Sequence, residues 1–382
     1  MTRGIESEEY RQRVMKLQQA MSAHGLDALL VYGWKRNHVR YLTGYYPNYI
    51  ANVAMVAVPR AGDPAMRIRF PFDLERARRE SWLVDVAASG ELMKLVEDSA
   101  AVLRGLGLAE GRIGLVTGDR TIDEMPFSVH QRLQGVLPSA TFDQCSDLLL
   151  EARITKSPAE FAMLRESALI ADAGALAAEA LMEPGRSEFE VIAAAEAQAR
   201  KLGAGAYLAV IGSRGSEELI GPPEERALED GDNVILEIAV EKAGYWAQVA
   251  RVFHVGAPTD EQREIDAATY QAYQVAVDAC QPGTSCADVA AKVQAILEMR
   301  GLAKYLEVDL GHGIGMDLPE PPRVEPGDST LIQPGMVLVV HPSVRVPGVG
   351  GAFLGGTVLI EQSGPEPIHE IPSEPGMGGH RR

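Results

Sequence analysis

Two ionisable residues, Glu237 and His341, each follow directly on a short apolar run. VIL precedes Glu237, and VLVV precedes His341. A polar side chain at the end of a buried strand is costly unless it is hydrogen-bonded, paired or bound to an ion. Glutamate and histidine can give and take protons near neutral pH, or bind a cation. The pattern therefore predicts a polar cluster that contains both residues.

An internal repeat explains why two such residues occur. PGRSEFEVIAAAEAQARKLG at 184–203 recurs, with changes, as PGTSCADVAAKVQAILEMRG at 282–301. Further on, DGDNVILEIAVEKAG matches QPGMVLVVHPSVRVPG, and this match places Glu237 and His341 at equivalent positions. A unit of roughly 100 residues is too long for a solenoid repeat. We therefore expect two similar halves that form one domain with pseudo-twofold symmetry, with the polar cluster on the axis between them.

The segments ahead of the repeat indicate a separate domain. Helical periodicity extends from Glu8 to His24, and the apolar run from Ala28 to Tyr32 is typical of a buried strand. Strand and helix patterns then alternate as far as residue 150. We predict an N-terminal α/β domain at 1–150 and a second domain at 151–382.

The second domain opens with a well-marked helix start. Ser157 is a good N-cap, Pro158 occupies the first helical position and Glu160 the third. The Ala-rich segment that follows, as far as Met182, predicts a long helix.

Composition and charge limit the classes of partner. The 382 residues are 46% hydrophobic and carry a formal net charge of −17, which argues against nucleic acid or an anionic membrane as a partner. A small-molecule substrate is compatible with this charge. The three cysteines, Cys145, Cys280 and Cys286, form no CxxC pair, and no apolar run approaches the roughly 18 residues of a membrane span. We therefore expect a cytoplasmic protein.

Several motifs, in order along the chain, resemble those of the creatinase, aminopeptidase P and prolidase superfamily. They are RYLTGY at 40–45, RITKSPAE at 153–160, LGHGIGMDLPEPP at 310–322, QPGMVLVVHP at 333–342 and GVGGAFLGGTVLI at 348–360. The resemblance covers nearly the whole chain. It implies an α/β (α+β) fold, in which an N-terminal creatinase-like α/β domain precedes a C-terminal pita-bread domain.

The resemblance also implies where metal ligands would lie. Metallopeptidases of this fold hold two cations with two Asp, one His and two Glu, and the matching positions here are Glu237, Gln248, His312, His341 and Gly355. Two divalent cations need bridging carboxylates to offset their mutual repulsion. Because only one carboxylate remains, we expect no dinuclear metal centre and no Xaa-Pro peptidase activity.

Creatinase is a member of this superfamily that cleaves a C–N bond without metal. By resemblance, we predict a creatinase-like hydrolase that acts on an amide, urea or amidine bond of a small carboxylate-bearing molecule and needs no cofactor. Glu237 and His341 are the predicted acid/base pair. His312, Gln248 and Glu320 are predicted to position the reacting groups.

Two alternatives stay open, so that enzymatic activity is itself a prediction. In the first, the chain is a catalytically inactive pita-bread module that binds a peptide or a protein partner. In the second, Glu237, His312 and His341 hold one divalent metal ion, Fe, Zn or Mn, in a mononuclear hydrolase or lyase.

Further residues are predicted to contact the substrate. The resemblance implies a homodimer whose first domain contributes a loop to the active site. The candidate contacts are aromatic, basic or histidine side chains: Tyr207 in the second domain, and Trp34, Arg36, His38, Arg40 and Tyr45 in the first. Basic groups at these positions would suit a substrate carboxylate.

Overall fold

The computed structural model describes residues 5–47, 52–119, 122–215 and 217–375. The chain divides into two compact units, Met1–Arg153 and Ile154–Arg382. Among the described residues, no helix is both long enough and apolar enough to cross a membrane.

The first unit is built on a six-stranded mixed sheet. Its strands are β1 (Ala28–Gly33), β2 (Ala54–Pro59), β3 (Ala65–Ile68), β4 (Val86–Ala88), β5 (Arg112–Val116) and β6 (Thr141–Gln144), in the order β4-β3-β2-β1-β5-β6. β1 is antiparallel to β2 and parallel to β5. Because β1 is central, all six of its residues are buried, and its sequence is a continuous run with no polar side chain pointing to water.

Helices accompany these strands along the chain. They are α1 (Ser7–Ala23), α2 (His38–Thr43), α3 (Leu74–Glu80), α4 (Leu92–Gly105), α5 (Phe127–Val136) and α6 (Ser146–Ile154), with a short 3₁₀ helix at Pro71–Asp73. The predicted first helix is confirmed: Val14, Leu17 and Met21 are buried along one side of α1.

The second unit contains a larger sheet and four long helices. The helices are α7 (Pro158–Glu179), α8 (Glu188–Lys201), α9 (Asp260–Ala279) and α10 (Cys286–Met299), with a 3₁₀ helix at Ala303–Tyr305. The strands are β7 (Ala206–Gly212), β8 (Asn233–Lys242), β9 (Tyr245–His254), β10 (Gly311–Gly313), β11 (Glu320–Arg323), β12 (Val337–Val340), β13 (Ser343–Val346), β14 (Gly350–Phe353), β15 (Gly355–Glu361) and β16 (Gly364–Pro367).

The order of the strands confirms the internal repeat. The main sheet runs β11-β10-β12-β15-β9-β8-β7, with β16 beside β15 and with β13 and β14 forming a separate pair. The strands β9 and β15, one from each half, meet near its centre. The helices α8 and α10 begin after equivalent N-caps, Ser187 and Ser285. Each of these serines also forms an isolated β-bridge with a residue of its own half: Ser187 with Ala227, and Ser285 with Leu331.

The start of α7 follows the predicted pattern. The Ser157 hydroxyl accepts a hydrogen bond from the Glu160 backbone N–H at 3.2 Å, and the Glu160 carboxylate accepts one from the Ser157 N–H at 2.9 Å. This capping box satisfies two backbone donors that would otherwise be unpaired. Side chains of α7 such as Ala171 and Ala175 then pack against Leu236 and Ile238 of β8.

Candidate active site

A row of small and polar residues crosses the middle of the main sheet on one face. Glu237 on β8 pairs with Ala250 on β9, and Ala250 pairs with Gly355 on β15. A Cβ added to Gly355 would overlap the Cβ of His341, which follows β12 directly, so His341 is the next residue in the row. Paired residues on neighbouring strands share a face of the sheet.

The row places two small residues between two polar ones. Three inter-strand spacings separate the backbone of Glu237 from that of His341, which is about 14 Å at ~4.8 Å per spacing. Ala250 and Gly355, both buried, lie between them. We call Glu237, Ala250, Gly355 and His341 the central trough, with the alanine and the glycine as its floor.

One wall of the trough is a hydrogen-bonded carboxyl group. The Gln248 amide donates from Nε2 to Oε1 of Glu237, and the Gln248 backbone N–H donates to Oγ1 of Thr357 at 2.9 Å. Burial, with a smaller contribution from the negative charge of Asp309, raises the pKa of Glu237 to about 7. Near neutral pH this group therefore exists in both protonation states and can donate or accept a proton.

The other wall is a pair of buried histidines. The rings of His312 and His341 meet edge to face with centroids 5.2 Å apart, and His341 packs at 5.2 Å against Phe353. Burial lowers the pKa of both rings, that of His341 to about 4. Both are therefore neutral at pH 7. Nδ1 of His312 lies 2.9 Å from the Gly313 carbonyl and donates its proton there.

Each wall presents a buried polar atom that has no hydrogen-bond partner within the described residues. These atoms are Oε1 of Gln248 and Nδ1 of His341. Nε2 of His341 faces Oδ1 of Asp309 at 3.5 Å, which favours the tautomer that carries its proton on Nε2. Nδ1 is then an acceptor, as Oε1 is. Unpaired buried acceptors are costly, so the trough is suited to a ligand that brings N–H donors to both walls.

Two other predicted site residues of this unit have different surroundings. Glu320 accepts from Nζ of Lys156 at 3.0 Å and from the Asp317 N–H at 3.0 Å, and it is buried. Tyr207 pairs with Val240 on β8, three residues from Glu237, and therefore points to the opposite face, towards the apolar cluster under α8. Its hydroxyl is buried without a partner among the described residues, and burial raises its pKa well above the usual value.

The predicted substrate contacts of the first unit all have neighbours within that unit. His38 is fully buried and bonds through Nε2 to the Gly118 carbonyl at 2.7 Å, and Tyr45 donates to Oδ2 of Asp73 at 2.6 Å. The remaining three, Trp34, Arg36 and Arg40, are partly buried, and they contact Lys35, Asp119 and Tyr46 respectively. Their roles in binding stay predictions.

Comparison with known proteins identifies the class to which this fold and site belong. Residues 162–362 match the metallopeptidase family M24, and residues 13–155 match the creatinase/prolidase N-terminal domain. The chain belongs to the metallopeptidase family M24, with an N-terminal creatinase/prolidase domain and a C-terminal pita-bread domain.

Individual relatives extend over nearly the full length. The chain is 26% identical to the Xaa-Pro dipeptidase of Pyrococcus horikoshii over 92% of its own length and 95% of that protein. It is 26% identical to the probable dipeptidase PepE of Mycobacterium tuberculosis over 98% of both chains. The solved Xaa-Pro dipeptidase of Bacillus anthracis has the same fold, with a TM-score of 0.84, 24% identity and coverage of 96% of this chain and 99% of that chain.

These findings contradict three predictions from the sequence. The predicted creatinase-like, non-peptidase C–N hydrolase is wrong, because the family is one of peptidases and the relatives are named dipeptidases. The prediction that the enzyme is not a peptidase fails for the same reason. The prediction of no cofactor is also wrong, because the family is defined by metal-dependent peptidases. Substitutions at a few ligand positions do not outweigh a resemblance that spans the chain.

The residues present do not rebuild the family's two-ion centre. Gly355 has no side chain that could bind a metal ion, and the Gln248 amide N–H donates a hydrogen bond to Glu237. The two small floor residues separate Glu237 from the histidines. Across the described ranges, no group of three His, Cys, Asp or Glu side chains lies close enough to hold a metal ion. The donor set as arranged therefore does not fit two bridged divalent cations.

The floor of the trough should be intolerant of a larger residue. Gly355→Ala would place a Cβ against the Cβ of His341 and 2.7 Å from the Val340 carbonyl oxygen. We expect a loss of about 1–3 kcal/mol in the free energy of unfolding, measured by urea denaturation. Gly221→Ala, where a Cβ would meet nothing within 4 Å, is the matched control. Equal stability of the two variants would show that the floor is not closely packed.

Two residues of the site, Ala250 and Asp309, are absent from the sequence prediction. Gly355 was expected there only through its match to a ligand position, and Ala250, the other floor residue, carries no chemical signal because it is small. Asp309 is charged and lies three positions before His312 in the segment VDLGHG. That proximity to a predicted site residue was the available signal for Asp309.

Proposed function

We propose that this chain hydrolyses the peptide bond of short peptides bound in the central trough. The observation that supports this most directly is the pair of unpaired buried acceptors, Oε1 of Gln248 and Nδ1 of His341, on opposite walls. A peptide carries N–H donors at its amino terminus and along its backbone, so it can satisfy both. We place its backbone across the two small floor residues, Ala250 and Gly355, which lie between the walls.

Glu237 is the proposed proton-transfer group. As a carboxylate it accepts a proton from the water that adds to the carbonyl carbon. As a carboxylic acid it then donates this proton to the nitrogen that leaves when the C–N bond breaks. A pKa near 7 suits both steps, and the hydrogen bond from Gln248 restricts the orientation of the carboxyl group.

The neutral histidines have a different proposed role. Nδ1 of His341 accepts an N–H of the substrate, and the ring of His312 packs against His341 and fixes its orientation. Because both rings stay uncharged at pH 7, they do not repel an ammonium group. The proposed substrates are dipeptides, including Xaa-Pro dipeptides, which are the substrates named for the relatives.

The proposed setting is the cytoplasm, and the proposed assembly is a homodimer. Three free cysteines support a reducing compartment. The homodimer is inferred from the resemblance to the superfamily. Light scattering on the purified protein tests it.

A panel of dipeptides tests the proposed function. The purified protein is incubated with Xaa-Pro and Xaa-Ala dipeptides, both as purified and after addition of Mn²⁺, Co²⁺ or Zn²⁺. Released amino acids are quantified by mass spectrometry. We expect release of both amino acids from at least one class of dipeptide. Binding of dipeptides without release under any of these conditions would contradict the proposal.

A further inference from the structure

The two halves of the main sheet meet along a short ladder. β9 and β15 are joined by two residue pairs, Ala250 with Gly355 and Val249 with Gly356. We call these four residues the central joint. For comparison, ten residue pairs join β8 to β9. Because β8 and β12 lie on opposite sides of the joint, the geometry of the joint sets the distance between Glu237 and the histidine wall.

A buried guanidinium crosses the central joint on the face opposite the trough. Arg251 follows Ala250 on β9, so its side chain points to the other face of the sheet. Nη1 of Arg251 donates to the carbonyl oxygen of Ala250 at 2.8 Å and to that of Gly355 at 2.6 Å. One side chain therefore binds the backbone of both floor residues, one from each half of the sheet.

The same guanidinium binds a segment that follows β16. Nη2 of Arg251 donates to the carbonyl oxygen of Ile371 at 2.9 Å, and Nε donates to that of Pro372 at 2.8 Å. We call residues 368–372 the C-terminal strap. A buried guanidinium is costly unless its N–H groups have acceptors. Within the described residues, the strap supplies two of the four carbonyl oxygens that Arg251 binds.

A carboxylate on α7 also binds the strap. Oδ2 of Asp172 accepts from the backbone N–H of Glu370 at 2.6 Å. Oδ1 of Asp172 lies 2.7 Å from Nδ1 of His369, and both of these side chains are buried. Burial lowers the pKa of Arg251, and the negative charge of Asp172 opposes this shift. The strap is therefore bound by one positive and one negative side chain, which stabilise each other.

The strap also contacts β15 directly. The backbone N–H of Ile368 donates to the carbonyl oxygen of Thr357 at 3.2 Å. A Cβ added to Gly356 would lie 2.9 Å from Cδ2 of His369, so the imidazole packs against this glycine. Together with the bond from the guanidinium to Gly355, these contacts connect the strap to three consecutive residues of β15 at the central joint.

We propose that Arg251 and the C-terminal strap set the spacing between the two walls of the trough, so that Arg251 is a positioning residue for the reaction. The inference rests on the proposed peptide hydrolysis, in which Glu237 and the histidine wall act on one substrate. A strap that is loosened leaves the short ladder of the central joint without this support. A misplacement of about 1 Å in a catalytic geometry can cost about 10²-fold in rate.

The first arm of the test loosens the strap and leaves the trough unaltered. Asp172→Asn removes the charge and one of the two carboxylate oxygens that bind the strap. We expect kcat for a cleaved dipeptide to fall by about 10- to 100-fold, with a smaller change in KM, because proton transfer depends more steeply on geometry than binding does. Arg251→Lys, whose single ammonium group cannot reach all four carbonyl oxygens, should change kcat in the same direction.

A second buried aspartate is the matched control. Asp266 on α9 also lies 2.7 Å from a histidine, His254, and both of these side chains are buried. His254 pairs with Asn233, four residues before Glu237 on β8, which places this pair away from the central joint. Asp266→Asn should lower the melting temperature and leave kcat unchanged when each variant is assayed well below its melting temperature.

Backbone hydrogen exchange, measured by mass spectrometry, reports on the central joint without any substrate. In the full-length Asp172→Asn variant we expect faster exchange than in the unaltered protein, both in the strap and in β15. In Asp266→Asn the exchange of β15 should equal that of the unaltered protein. A strap that only adds stability would exchange faster by itself and leave β15 protected.

The outcomes separate the inference from the proposed function. If the unaltered protein cleaves no dipeptide, the proposed function fails and the positioning role fails with it. If dipeptides are cleaved but Asp172→Asn keeps the kcat of the unaltered protein, or β15 stays protected in it, the inference alone is overturned. A lower kcat and faster exchange of β15, both confined to the variants of Asp172 and Arg251, would support it.

Discussion

Glu237→Gln should lower kcat for dipeptide hydrolysis by about 100-fold or more and leave KM within a few-fold. The amide retains an oxygen that can accept the hydrogen bond from Gln248, but it cannot exchange a proton with water or with the leaving nitrogen. General acid–base catalysis is typically worth 10²- to 10⁴-fold. The measurement is steady-state kinetics on the best dipeptide of the panel, at pH 7.

A second glutamate serves as the control for this loss. Glu179, at the end of α7, is also partly buried, and burial also raises its pKa. Glu179→Gln should leave kcat unchanged, because this residue lies outside the trough. Comparable losses in the two variants would show that general effects on the fold, and not proton transfer at Glu237, explain the result.

The same Glu237→Gln substitution should stabilise the protein at alkaline pH. The folded-state pKa of Glu237 is raised from 4.5 to about 7, so the folded protein holds this proton more tightly than the unfolded chain does. The stability associated with the buried neutral acid is fully present below pH 4.5 and is lost as the pH rises through 7. At pH 8 the unaltered protein therefore bears an ionised, partly buried carboxylate, at a cost of about 3 kcal/mol.

Urea unfolding at two pH values measures this effect. Glu237→Gln should be more stable than the unaltered protein by up to about 3 kcal/mol at pH 8, and the difference should vanish near pH 4.5. Glu264→Gln, which removes an exposed carboxylate on α9, controls for the change in net charge. A difference that stays constant between the two pH values would mean that the pKa of Glu237 is not raised by folding. Gain of stability with loss of activity would indicate a group retained for function.

Local features of the fold were predictable because short-range physics determines them. Ser157, Pro158 and Glu160 predict the start of α7, since the capping interactions involve residues only a few positions apart. The recurrence of 184–203 at 282–301 predicts the two-fold arrangement, and α8 and α10 begin and end at equivalent positions in it.

The arrangement of the site was harder to predict from the sequence. Glu237 and His341 were predicted in one cluster because each follows an apolar run, and both do lie on the same face of the main sheet. The sequence does not state, however, that β9 and β15 lie between their strands, because strand order depends on long-range pairing. The partner of Glu320, Lys156, is also far away in the sequence, so their ion pair could not be read from local spacing.

The error about function has a physical cause as well. Gln248 and Gly355 differ from the ligands that the resemblance implies, and these differences wrongly suggested a loss of peptidase chemistry. The trough shows what replaces the ligands locally: Gln248 bonds to Glu237, and Gly355 makes room for His341. A substitution at a ligand position therefore reports on how the site is built and does not by itself identify the bond that is cleaved.

A crystal structure of the Glu237→Gln variant with an uncleaved dipeptide tests the central claim most directly. We predict the peptide bond above Ala250 and Gly355, with an N–H of the ligand bonded to Oε1 of Gln248 and another to Nδ1 of His341. Electron density for the dipeptide outside the trough, with both acceptors still unpaired, would contradict the assignment of the trough as the active site.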